Sequence, residues 1–238
     1  MITSLDNKTV KNLSKLHQKK YRDDSFLICD PLLIEQAYKH NYLKLLVYTD
    51  ELPFEFENVL EVSKEVLYKI GKREDINYLG VSKLIEDSDD YGNKIVILDH
   101  LQDPLNIGRI MEACDLFGFD SIILSENCAD IYNEKCLDNC KGNIYKIKIN
   151  HSEIIEEINK LKDKGYTVYA TGLRNNTKEL YEAKKADKIA IILGNEGSGV
   201  REEVMDASNE IIKIDMENID SLNVSMAASI IMYYFNNI

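Results

Sequence analysis

Three short polar stretches carry residue types from which a reaction site could be built. Residues 103–108 read DPLNIG, residues 194–199 read GNEGSG, and residues 221–223 read SLN. Between them they offer an amide at Asn106, a carboxylate at Glu196, a hydroxyl at Ser221 and a second amide at Asn223. The glycine-rich stretch is not a phosphate-cradling P-loop, because no Gly-Lys-Ser/Thr follows it, and it does not fit G-x-G-x-x-G. Glu196 would repel an anion, so a small-residue loop with one acid better suits a cationic or hydroxyl-rich ligand. Each stretch also has a plainer reading. Pro104 and Asn106 fit a capped strand-to-helix turn, the glycines fit a tight turn, and Ser221 or Asn223 fits a helix cap. His17, His40, His100 and His151 are scattered, and no Ser/His/Asp or Cys/His pairing follows from position.

The elements needed to position these stretches alternate. Apolar runs at 94–99, 121–125, 144–149, 166–172, 188–194 and 210–215 read as strands. Residues 106–118, 133–140, 151–164, 200–207 and 224–235 read as helices. Strands that are Ile/Val/Leu throughout, separated by helices, predict a parallel sheet covered on both faces. Ligands of such sheets bind beyond the carboxyl ends of the strands, where all three polar stretches fall. Upstream, residues 6–20 space Val10, Leu13 and Leu16 as an amphipathic helix. Strand and helix then alternate to residue 84, which predicts a smaller α/β domain. The acidic, polar run EDSDDYGN predicts a linker, giving domains at 1–85 and 94–238 joined by 86–93.

The chain has 238 residues, 45% of them hydrophobic, enough for one large core or two moderate ones. No apolar run approaches the ~20 residues of a membrane span, and the N-terminus lacks the apolar stretch of a secretory signal. Five cysteines without framework spacing point to a reducing, cytoplasmic setting, and no metal site is expected. A net charge of −12 argues against a general polyanion binder. Residues 1–22 nonetheless carry Lys8, Lys11, Lys15, Lys19, Lys20 and Arg22 against Asp6 alone, so a local basic arm could hold phosphates.

Taken in order, DPLNIG, LGNEGSG at 193–199, IDM at 214–216 and SLNVSMA at 221–227 resemble the signature motifs of the SpoU (TrmH-like) branch of the SPOUT RNA 2′-O-ribose methyltransferases. Residues 1–85, with KYRDDSFLICDPLLIEQA at 20–37, resemble the L30e-like substrate-binding domain that often precedes them. The resemblance implies an open parallel α/β sheet ending in a deep trefoil knot. It implies S-adenosyl-L-methionine (AdoMet) held there by Gly194, Ile214 and Leu222, with Thr171, Leu193, Gly197 and Met216 alongside. It implies methyl transfer to a ribose 2′-hydroxyl of structured rRNA or tRNA by a cytoplasmic homodimer. Asn106, Glu196, Ser221 and Asn223 match the family's polar active-site positions. Lys15, Lys19, Lys20 and Arg22 would help to hold the RNA.

The chain departs from the pattern in places. The family's first-motif arginine, credited with activating the hydroxyl, falls on Glu112. Arg109, three residues earlier, is expected on nearly the opposite side of the helix. Asp215 replaces a proline, and Cys29-Asp30 replaces Glu-Gly. These departures motivate an alternative: a catalytically degenerate RNA-binding or ribosome-assembly protein that keeps the fold.

Overall fold

The computed structural model describes residues 1–217 and 222–236. Ser221 and the residues just before it therefore lie outside the described residues. Contacts divide the chain into two units, Met1–Ile85 with Tyr132–Tyr145, and Glu86–Ile131 with Lys146–Ile238.

In the first unit, α1 (Lys8–Lys15) begins where Asn7 accepts the Thr9 N–H at 2.8 Å, and it buries Val10 and Leu13. It is shorter than the expected 6–20. Arg22 folds back and donates from Nε to the Leu16 carbonyl (2.7 Å) and from Nη2 to that of His17 (3.0 Å). These bonds serve carbonyls that the helix end leaves open, and Lys19–Tyr21 forms a separate 3-10 turn. There follow β1 (Ser25–Ile28), α2 (Pro31–Lys39), β2 (Leu43–Tyr48), β3 (Val59–Glu61), α3 (Lys64–Gly71) and β4 (Tyr78–Lys83). Asp30 and Ser63 cap α2 and α3, and Pro31 occupies the first turn of α2. The sheet order is β1-β4-β2-β3. It is mixed, because β4 runs antiparallel to both β1 and β2 while β2 and β3 are parallel. Val10 and Leu13 join Val47, Val66, Ile70 and Leu79 in one buried cluster.

The second unit opens with β5 (Lys94–Asp99), α4 (Pro104–Phe117) and β6 (Ser121–Leu124). The next helix, α5 (Glu134–Asn139), is counted with the first unit. Then come β7 (Lys148–His151), α6 (Ile154–Asp163), β8 (Thr167–Thr171), β9 (Lys178–Glu179), β10 (Ile189–Gly194), α7 (Glu202–Ala207), β11 (Glu210–Lys213) and α8 (Val224–Asn236). Among the described residues the sheet has seven strands, ordered β7-β6-β5-β10-β8-β11-β9, and every pairing is parallel. The expectation of a parallel sheet holds.

One strand differs from the expectation. IYKIKI at 144–149 is not continuous: Asn143–Tyr145 forms a 3-10 turn and β7 starts at Lys148. The apolar run serves two places. Tyr145 donates to Ser82 Oγ of β4 at 2.8 Å and its ring lies 5.3 Å from that of Tyr42, while Lys148 pairs with Ser121 of β6. Residues 86–90 lie against β7 through Ser88 N–H to the Ile149 carbonyl (2.8 Å) and Asp87 to His151 Nδ1 (2.8 Å).

The order of the sheet positions the site. From β5 the chain steps outward through β6 to β7, then crosses to lay β8 and β10 on the other side of β5. This reversal of direction at adjacent strands is where open α/β sheets form their binding crevice. All six residues of β10 are buried, and Gly194 at its end is in register with Asp99 at the end of β5.

Candidate active site

The loops that follow β5 and β10 are held together by charge and hydrogen bonds. Asp103 caps α4 by accepting the Leu105 N–H at 3.0 Å, and Pro104 supplies a first-turn residue that needs no donor partner. This leaves nearby N–H groups pointing outward, and Glu196 takes them. Its carboxylate accepts from the Gln102 N–H (3.2 Å), the Asp103 N–H (3.1 Å) and Asn106 Nδ2 (3.1 Å). Partial burial by itself would push this carboxyl up. Hydrogen bonds from its own N–H, Asn106, Gln102 and Asp103 outweigh that and hold it below its ordinary value. Glu196 is therefore ionised at neutral pH.

Asn106 extends the chain of bonds. It is 2% exposed, and its Oδ1 accepts from Asn223 Nδ2 at 3.1 Å. Asn223 Oδ1 in turn accepts the Ser225 N–H (3.0 Å), Ser225 Oγ–H (2.6 Å) and Met226 N–H (3.4 Å) at the start of α8. The β10 loop, the α4 N-terminus and the α8 N-terminus are thus spliced by Glu196, Asn106 and Asn223. Three of the four expected polar residues meet; Ser221 lies outside the described residues.

The loop of residues 194–199 closes on itself. Asn195 and Gly199 exchange backbone hydrogen bonds of 3.0 and 2.9 Å, and Asn195 Oδ1 accepts the N–H groups of Gly197 and Ser198. A Cβ on Gly194 would stand 2.1 Å from Gly199 C and Val200 N, so only glycine allows this approach. Thr171 ends β8 and donates from Oγ1 to the Ile192 carbonyl at 3.0 Å. Leu193 is buried in β10, Ile214 and Met216 follow β11, and Leu222 directly precedes Asn223. The expected cofactor residues thus belong to the ends of β8, β10 and β11 and to the entry of α8. All three strands point the same way, so these segments leave one edge of the sheet.

Glu112 and Arg109 both lie on α4, which runs unbroken through them. Three residues turn an α-helix by about 300°, which leaves them only about 60° apart. They are neighbours on one side, which corrects the expectation that Arg109 faces elsewhere. In the first unit, Lys15 and Lys20 stand 5.4 and 4.9 Å from the ring centroid of Tyr21. Arg22 spends guanidinium hydrogens on the backbone of the preceding turn.

A buried clamp that none of the three polar stretches marks lies beneath the site. Asp99 is fully buried and accepts from Arg201 at both the backbone N–H (3.0 Å) and Nε (2.8 Å). It ties the exit of β5 to the residue that precedes α7. The signal was an acid closing an otherwise apolar run, KIVILD. His100, named above for its imidazole, contributes through its backbone: it is a non-glycine residue at φ 58° whose carbonyl accepts from Asn195 Nδ2 at 3.0 Å.

The chain matches the SpoU rRNA Methylase family over residues 93–233. Over 98% of its length it is 29% identical to the 23S rRNA (guanosine(2553)-2′-O)-methyltransferase RlmP of Bacillus subtilis, covering 98% of that protein. It is 31% identical to an uncharacterized tRNA/rRNA methyltransferase of Borreliella burgdorferi, covering 80% of this chain and 81% of the relative. In three dimensions it is similar to an AdoMet-bound rRNA methyltransferase from Sinorhizobium meliloti. The TM-score is 0.87 at 26% identity, over 98% of this chain and 95% of the other.

Proposed function

This chain belongs to the SpoU rRNA methylase family, and on that premise we propose that it transfers a methyl group from S-adenosyl-L-methionine to a ribose 2′-hydroxyl of structured RNA. The observation that carries the reading is the hydrogen-bonded splice of Glu196, Asn106 and Asn223, which joins the three motif loops at one end of the sheet. Full-length similarity to a ribosomal RNA enzyme favours rRNA over tRNA as the substrate. Nothing favours the degenerate, non-catalytic alternative.

The residues present fit the cofactor. Beyond β8 and β11, Leu173 (73% exposed) and Met216 (37% exposed) leave apolar surface for a purine. The loop between Gly194 and Gly199 brings backbone close without side chains. The ionised Glu196 complements a ligand with a sulfonium and an ammonium group. Gly194, Gly197, Ile214 and Leu222 would hold the cofactor by backbone, with Thr171, Leu193 and Met216 lining it. When bound, it supplies an electrophilic methyl group.

The protein must orient the ribose oxygen in line and ease removal of its proton. Glu196 holds its own proton too weakly to be an efficient base near neutral pH. We assign it to loop and charge positioning. Asn106 and Asn223 each keep one amide N–H beyond those in the splice, and these can orient the substrate. Ser221 is retained as a substrate-facing residue on the motif alone.

The same reading assigns the trefoil knot to the C-terminal segment. It assigns an L30e-like, RNA-holding role to residues 1–85, through Lys15, Lys19, Lys20 and Arg22, with 86–93 as the connection to the methyltransferase domain of 94–238. A cytoplasmic location suits the five free cysteines and an RNA substrate. Among the described residues no helix is long and apolar enough to cross a membrane, and no His/Cys/Asp/Glu cluster could hold a metal.

A homodimer is supported by α8, whose Met226, Ile230 and Tyr233 are 56%, 42% and 60% exposed at helical spacing. α8 packs on α4, which adds Leu116 at 68% exposure. Such an apolar stripe on two packed helices needs a cover. Ile230→Asp is expected to convert a dimer to a monomer in sedimentation equilibrium. A wild-type mass equal to one chain would refute the dimer.

The function is tested by calorimetry with AdoMet, then by tritium transfer to total RNA from cells lacking the gene. Alkali-resistant ribose methylation is expected, and no transfer would sink the reading. Asn223→Ala should lower transfer at least ~100-fold, and losing the cap should cost about 1 kcal/mol of stability. Asn223→Asp separates the two effects. It keeps the capping oxygen but faces Asn106 Oδ1 with an acceptor, so stability should hold while transfer falls. Wild-type transfer by Asn223→Asp would reject the splice as a catalytic feature.

A further inference from the structure

Arg109 differs from the other arginines of this chain. Arg22 donates to backbone carbonyls, Arg73 pairs with Glu134 and Asp138, Arg174 with Glu202 and Asp206, and Arg201 with Asp99 and Glu203. Arg109 is exposed and, among the described residues, is the one arginine that forms no hydrogen bond or ion pair. This occurs in a chain with 41 acidic residues and only 29 basic ones, where partners are plentiful.

Its place on α4 gives that free cation a use. Arg109 follows Asn106 by three residues, which sets it about 60° round the helix and about 4.5 Å further along. The buried amide of the splice and the exposed guanidinium therefore share one side of α4. Glu112 comes three residues later, about 60° from Arg109 but about 120° from Asn106, half-buried, and among the described residues no ion pair joins it to Arg109. Arg109 therefore lies between the amide and the acid, each about 60° away round α4.

We propose that Arg109 is the substrate-holding cation of the methyl-transfer site, gripping an RNA phosphate next to the target ribose. The proposal rests on the methyltransferase reading above. A guanidinium presents a planar fork that matches two phosphate oxygens. Glu112 repels the same phosphate one turn further on, so the backbone is attracted at one point of α4 and refused at the next. That contrast fixes where the ribose stops relative to Asn106. Residual charge matters more here than on a basic RNA binder, because the overall field of the protein opposes RNA.

The test uses full-length protein, tritiated AdoMet and total RNA from cells lacking the gene. Arg109→Ala should lower kcat/KM about 10–100-fold, mostly through a higher KM for RNA, and leave AdoMet affinity unchanged in calorimetry. In filter binding, its log–log salt slope should shrink by about one relative to wild type. Arg109→Lys should recover part of the KM, since it keeps the charge and loses the fork. Glu112→Gln should blur placement and lower kcat more than it changes KM. Wild-type kinetics and salt slope in Arg109→Ala would overturn the proposal. So would a loss that tracks a fall to monomer mass in sedimentation, which would assign Arg109 to a subunit interface. If wild-type protein methylates nothing, the functional reading fails, while the filter-binding slope still decides whether Arg109 holds RNA.

Discussion

Gly194→Ala is expected to abolish AdoMet binding and to destabilise the second unit by at least about 3 kcal/mol, the upper part of the usual overpacking range. The added methyl would meet Gly199 C and Val200 N at 2.1 Å and Gly199 O at 2.4 Å. These are backbone atoms, so no rotamer change relieves the clash. They are also held in place: Gly199 is bonded to Asn195 in both directions, and Val200 is buried. The loop could yield only by breaking the Asn195–Gly199 bridge and displacing Glu196 from the start of α4. That would undo the splice to Asn106 and Asn223 as well. Gly197→Ala is the matched control. Its new methyl would find only Asn195 Oδ1 at 3.5 Å, an ordinary contact. It should fold as wild type, so any change in its AdoMet affinity reports contact with the cofactor rather than distortion of the loop. Calorimetry and thermal melting of the two variants provide the comparison. AdoMet binding by Gly194→Ala at wild-type affinity would show that the cofactor does not depend on this loop.

Local chemistry made much of this site legible in the sequence. Pro104 and Asn106 announce a strand-to-helix turn, although the cap is Asp103 rather than Asn106, which lies inside α4, and three glycines around Glu196 announce a tight turn. Uninterrupted Ile and Leu in β5 and β10 announce central parallel strands, and parallel strands deliver their loops to one edge. The illegible features depend on which residues meet across distance. The run at 144–149 has a strand's composition, yet Ile144 and Tyr145 bury in the first unit while Lys148 begins β7. The two-residue β9 has too short a pattern to register. The mixed pairing of β1, β4 and β2 follows from connection geometry that composition does not carry. Glu196 is an intermediate case. Its acidity suggested a cationic ligand, but its position at the α4 N-terminus shows that it first satisfies the protein's own N–H groups.

The Asp99–Arg201 clamp supports the second large prediction, because its partners are unequally buried. Asp99 has no exposed surface, whereas the Arg201 side chain keeps 28%. Breaking a buried ion pair costs about 3–5 kcal/mol, chiefly through the charge left without a partner. In Asp99→Ala the guanidinium can turn toward water and toward Glu203, to which it already donates at 3.1 Å. In Arg201→Ala the carboxylate keeps only the backbone N–H of residue 201 and cannot reach solvent without opening the sheet. Arg201→Ala should therefore be the more damaging change, at about 4–5 kcal/mol against about 3 kcal/mol for Asp99→Ala. Both should weaken AdoMet binding, since the clamp pins the exit of the 194–199 loop to the end of β5. Denaturant unfolding of the two single variants and the double variant gives the costs and their coupling. Equal costs with no coupling would mean that the pair neither bears the buried charge nor fixes the loop. A double variant less damaged than Arg201→Ala alone is the expected signature, because removing the stranded carboxylate removes the larger part of the penalty.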